Sequence, residues 1–131
     1  MKNIKLYVVF LMLIAGVVSA QAENDILGQW YTPDKKSIIE FKHDSTGTIQ
    51  GTLIWVNKEI NQEKAGKHLG KIIAKNLTYK KDDERYEGKV YIPQKDTEKD
   101  AEFTVDGNTL YVKVKAGFLL SKTVEWTRKE T

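Results

Sequence analysis

Gly28-Gln29-Trp30, near the start of the chain, and Trp126-Thr127-Arg128, near its end, decide the fold between them. The sequence that separates them is a series of short runs in which every second residue is apolar, broken by turn residues. Alternation with period two is the pattern of half-buried strands. When such a series closes into an antiparallel barrel, its first and last strands lie side by side. A tryptophan on one and an arginine on the other then stack and plug one end. Gly28, Trp30, Trp126 and Arg128 are therefore expected to form a structural barrel seal.

Working outward from these ends, eight stretches carry the alternation: 27–32, 37–43, 48–56, 71–79, 85–92, 101–105, 109–115 and 122–128. The third is the clearest, with Ile49, Gly51, Leu53 and Trp55 opposite Thr48, Gln50 and Thr52. Alternation places Trp30, Phe41, Trp55, Tyr86, Phe103 and Trp126 inward, with His43 on the face of Ile39 and Phe41, and Lys75 and Lys122 on or near the inward face. Asp106-Gly107 predicts a tight hairpin of type I′. Segments 44–47 and 81–84 read as turns, and 93–99 as a polar loop. The connection 57–70 is long, polar and rich in lysine, with a helical turn expected around 61–67. Gly117-Phe118-Leu119-Leu120 is an apolar hairpin tip, expected to fold over the barrel end as a cap. The fold class is all-β: an antiparallel up-and-down barrel of about eight strands, one domain over 21–131.

Residues 1–20 read as an address. Lys2 and Lys5 make a basic start, 6–18 is apolar but short for a membrane span, and cleavage is expected after Ala20 or Ala22. The chain has no cysteine, hence no disulfide, no thiolate chemistry and no lipid-bearing residue at the cleavage site. The expected location is exported, periplasmic or extracellular, with no stable membrane anchor after cleavage. Removing 1–20 takes away Lys2 and Lys5 and no acid, so 21 basic residues become 19 against 18 acidic ones and the net charge falls from +3 to +1. No basic stripe interleaved with aromatics is present, so nucleic acid is not an expected partner.

The chain resembles the secreted bacterial family known as domain of unknown function 2147 over nearly its whole length beyond the signal. The resemblance rests on Gly28-Gln29-Trp30-Tyr31-Thr32-Pro33-Asp34, Gly47-Thr48-Ile49-Gln50-Gly51, Tyr86-Glu87-Gly88-Lys89-Val90-Tyr91-Ile92-Pro93, and Leu110-Tyr111-Val112-Lys113-Val114 running to Trp126-Thr127-Arg128. At Ile92 the family more often has an aspartate before the proline, and the long connection lacks the family's Asn-Pro-Asp segment. The resemblance implies a lipocalin-like barrel of the calycin group, in which a Gly-x-Trp on the first strand and an arginine on the last are the structural signature. It implies no particular reaction.

The residues themselves offer little for catalysis. His43 and His68 are the two histidines. A metal site would need them to meet at a barrel mouth with Asp44 or Glu63, and they read instead as surface side chains. Ser37, Ser45 and Ser121 lie in no nucleophile elbow, and Asp82-Asp83-Glu84 reads as a solvated turn. No enzymatic activity, no metal and no cofactor is expected. The function expected is binding of a small apolar or amphipathic ligand, with Phe41, Trp55, Tyr86, Phe103 and Lys122 as pocket residues. The alternative is a packed barrel acting through its surface on an envelope component, or as a hydrolase inhibitor, through 57–70. The protein partner is unknown. An interior filled by its own side chains and one that holds a ligand are both compatible with a barrel of this size.

Overall fold

In the computed structural model, which describes residues 22–59 and 66–130, the alternating stretches form eight antiparallel strands. They are β1 (Gly28–Tyr31), β2 (Ser37–His43), β3 (Ile49–Val56), β4 (Ile72–Lys80), β5 (Arg85–Ile92), β6 (Thr97–Asp106), β7 (Thr109–Gly117) and β8 (Leu120–Arg128). Each pairs with the next in sequence and β8 returns to β1, which closes a lipocalin-like up-and-down barrel. Closure satisfies the backbone groups that an open sheet would leave at its edges. The expected signal segment, 1–20, lies outside the described residues, as does most of the helical turn expected at 61–67.

The alternation sorts the side chains. Trp30, Phe41, Leu53, Tyr86, Val90, Phe103, Leu110, Val112 and Trp126 are buried inside. Glu40, Lys42, Gln50, Glu87, Lys89, Asp100, Glu102, Lys113 and Glu125 occupy intervening, outward positions. A transmembrane barrel needs the reverse arrangement, with an apolar outer band. Inside, Phe41 lies 6.1 Å from Phe103 and 6.2 Å from Trp126 between ring centroids, and Tyr79 lies 5.0 Å from Tyr86. Gly51 makes room for Phe41: a Cβ there would sit 2.9 Å from the ring. Gly88 does the same for β4, since its Cβ would meet the Lys75 carbonyl oxygen at 2.7 Å.

The loops fall at two ends. The first end gathers the turns 44–48, 81–84 and 107–108, together with the N-terminal segment 22–27. The second gathers the short 3-10 turn Pro33–Lys35, the connection between β3 and β4, the turn 93–96 and the β7–β8 hairpin.

Four local expectations are corrected. Trp55 does not face inward. Ile38 pairs with Trp55 but Ile39 pairs with Leu53, so Ile54 is an extra residue in β3. That bulge reverses the alternation and turns Trp55 out, 41% exposed. Residues 93–99 are not all loop, because β6 begins at Thr97, which pairs with Ile92. The hairpin between β6 and β7 turns on Gly107 and Asn108, and Gly107 alone has a positive φ of 61°. Glycine at the first central position fits a type II′ turn rather than I′. Finally, the Phe118-Leu119-Leu120 tip is not a cap: the three residues are 91%, 89% and 68% exposed.

Candidate functional site

The first end is sealed. Trp30 and Arg128 are register partners across the β1–β8 seam, and the Arg128 guanidinium carbon stands 4.2 Å from the centroid of the buried Trp30 ring. Trp30 Nε1 donates to the Ile26 carbonyl at 2.8 Å, and Arg128 Nη2 donates to the Asp25 carbonyl at 2.9 Å. Tyr86 adds a third tie, its hydroxyl lying 2.7 Å and 2.8 Å from the carbonyl oxygens of Ala22 and Glu23. These bonds fold 22–27 across the barrel mouth and bury Ile26 completely. Trp126 closes the layer beneath, against Phe41. Gly28 starts β1, opposite Phe41, with a φ of 116° that favours glycine.

The described inward side chains form one packed core. Of the expected pocket residues, Phe41, Tyr86 and Phe103 are buried in one continuous core with Ile39, Leu77, Leu110 and Val112. Burial pushes the Tyr86 phenol up to about 12 and keeps it a neutral donor. Trp55 stands outside. Lys122 follows the inward alternation, paired with Val114, but lies beyond the packed layer and is exposed. Lys75 faces out and bonds Glu98 at 2.8 Å. Among the described residues two open depressions lie on the surface. One, of about 580 Å³, is lined by Gly28, Gln29, Glu40, Arg128, Lys129 and Glu130. The other, of about 340 Å³, runs along β5 and β6 between Glu87, Lys89, Asp100 and Glu102.

Titratable groups are held in structural roles. Asp44 accepts hydrogen bonds from the backbone and hydroxyl groups of Thr46 and Thr48, which lower its carboxyl to about 2. The Lys89 ammonium lowers Asp100, and the Gln29 amide lowers Glu40. Arg85 reaches Asp83, Glu87 and Glu102 at 3.4–3.7 Å on the exterior. His43 ends β2 at the sealed end, 3.4 Å from Asn24 Oδ1. His68 lies in the β3–β4 connection at the other end, 6.2 Å from Tyr91. The two histidines therefore do not meet at one mouth.

The second end differs in kind. All the exposed large apolar side chains among the described residues gather there: Ile54, Trp55, Leu69, Ile72, Phe118, Leu119 and Leu120. On one side Tyr31 and Trp55 flank the buried Ile38, their rings in edge contact at 6.5 Å. Lys35 caps the Tyr31 ring at 5.3 Å, and Lys71 caps Tyr91 at 4.0 Å. The β7–β8 hairpin belongs to the same end, and its β8 arm is the neighbour of β1. The Tyr31–Trp55 patch depends on the Ile54 bulge, which simple alternation hides. The plug at 22–27 had one faint signal in the sequence, the isolated Ile26-Leu27 pair ahead of β1.

No curated protein and no solved structure matches the chain significantly. The family described as an uncharacterized protein conserved in bacteria (DUF2147) matches residues 28–128, which span β1 to β8 and both halves of the seal. The chain belongs to that bacterial family.

Proposed function

We propose that the protein is an exported, non-enzymatic barrel that acts in the cell envelope through the surface of its second end. The observation that carries this reading is the contrast between interior and rim. The inside is occupied by the chain's own aromatics, whereas one rim leaves its large apolar side chains in water. Large apolar side chains gathered in water at one end of a small protein mark a contact site. The basic, apolar start of the sequence supports export.

The reading as an interior carrier of a small apolar or amphipathic molecule has less support. Its pocket would need Phe41, Tyr86 and Phe103 to line free space, and they pack against one another and their neighbours instead. A ligand would have to displace that core, losing contacts that interior packing supplies.

The test is photo-crosslinking in the living host. A photoreactive residue is placed at Leu69 or Leu119 on the second end, and at Thr46 on the sealed end. Discrete adducts from the first two positions and none from Thr46 are expected. Adducts from Thr46 alone, or none from any position, would contradict the proposal.

A further inference from the structure

The β7–β8 hairpin runs past the ladders that tie it to its neighbours. On one flank the β6–β7 pairing reaches no further than Ala101 with Val114. On the other, the β1–β8 pairing stops at Tyr31 with Thr127. Residues 115–122 therefore form a two-stranded finger held by its own pairs, Lys115 with Ser121 and Gly117 with Leu120. Three residues beyond Val114 at about 3.3 Å each carry the finger about 10 Å past its last pair with β6. Its tip carries Phe118, Leu119 and Leu120, the three most exposed large apolar side chains among the described residues.

Two further observations say what such a finger fits. From Tyr111 to Val124 the sequence holds three lysines and no acidic residue. Lys115 and Lys122 stand three and two residues back from the apolar tip, one on each arm. Lys115 approaches Glu102 at 3.4 Å, while Lys122 has no carboxylate within 4 Å among the described residues. The second observation is conformational. Leu119 has a φ of 67°, a left-handed backbone that glycine or asparagine adopts with less strain. Folding the turn would be easier without this side chain, so its presence points to a use outside the fold.

Resting on the reading of the second end as the acting surface, we propose that this finger docks the barrel reversibly on an anionic lipid surface. The Phe118-Leu119-Leu120 tip enters the boundary between headgroups and acyl chains, a depth that its reach matches. Lys115 and Lys122 then stand at the level of the lipid phosphates, where each is attracted by the surface charge. A flat protein partner would meet a convex, narrow tip poorly, whereas a fluid interface closes around it. The outer wall stays in water, as its charged residues require.

The experiment is vesicle flotation with the protein in the form its host produces, its processing checked by intact mass. Vesicles of phosphatidylcholine alone are compared with equimolar phosphatidylglycerol and phosphatidylcholine. The protein is expected to float with the mixed vesicles and not with the neutral ones, and to be released by high salt. Phe118→Ser combined with Leu119→Gly should cut the partition at least tenfold while leaving the urea midpoint equal or higher, because Leu119→Gly relieves the turn. Lys122→Ala should cut it about fivefold. Failure to float with anionic vesicles, or undiminished flotation of the double variant, overturns the lipid assignment. Failure to float, with a crosslink from position 119 to a single envelope protein, overturns it too but leaves the second end as the acting surface. Failure to float, with no crosslink from the second end, removes both readings.

Discussion

Replacing Arg128 tests how the barrel is held shut. Its guanidinium covers the Trp30 ring at 4.2 Å and bonds the Asp25 carbonyl at 2.9 Å, so one side chain joins β8, β1 and the plug. A cation–aromatic contact over a buried ring contributes about 1–2 kcal/mol. A charge-assisted hydrogen bond adds about 1.5 kcal/mol when shielded and less when, as here, water can replace it. Arg128→Ala should therefore cost about 2 kcal/mol. With a urea m-value of about 1.5 kcal/mol/M, the unfolding midpoint should fall by about 1.3 M at unchanged slope. Arg128→Lys keeps the charge but not the planar fork, and should recover no more than about half of that loss. Equilibrium urea unfolding followed by tryptophan fluorescence measures both. Midpoints equal to wild type for the two variants would refute the seal, and a changed slope with an unchanged midpoint would move the effect to the unfolded state.

Other consequences follow from single contacts. Gly88→Ala pushes a methyl group into the Lys75 carbonyl oxygen, which is backbone and yields poorly; thermal unfolding should show a loss of about 1–3 kcal/mol, and an unchanged midpoint would mean that β4 has room there. Phe103→Ala should destabilise by about 3–5 kcal/mol, whereas Trp55→Ala, on the outer face, should cost under about 1 kcal/mol; a reversed order by urea titration would return Trp55 to the interior. Asp44 is held below its unfolded value of 3.8, at about 2, so its contribution is present above pH 3.8 and is lost as pH falls through that window. Acid titration of Asp44→Asn should lack that part of the wild-type decline, and identical acid profiles would show that the Thr46 and Thr48 hydrogen bonds do not favour the carboxylate.

How much of this was legible in the sequence depended on whether one residue's neighbours decided its place. Strands such as 85–92 and 37–43 are legible because Tyr86, Gly88 and Val90, or Ile39 and Phe41, fall on alternate positions of one face. The position of Trp55 is not, because an extra residue in β3 changes no composition and shows only in its pairing with β2. Lys75 departs from simple alternation for a related reason: Asn76, with a φ of 58°, lies where the register of β4 shifts against β5. The finger is hidden in the sequence because it is set by where two neighbouring ladders stop, Ala101 on one side and Tyr31 on the other. A sequence records the length of a hairpin but not how far its neighbours accompany it. The packing of the core likewise depends on close approaches, at Gly51 and Gly88, that a list of inward aromatics does not contain.

A barrel packed around its own side chains and acting from outside carries no molecule within it. Native mass spectrometry of the protein purified from its own host should then give the mass of the processed polypeptide alone, with no stoichiometric small molecule retained under gentle desolvation. A bound molecule held at one per chain, and lost on Phe103→Trp but kept when Phe118→Ser and Leu119→Gly are combined, would place a ligand inside the barrel and contradict it.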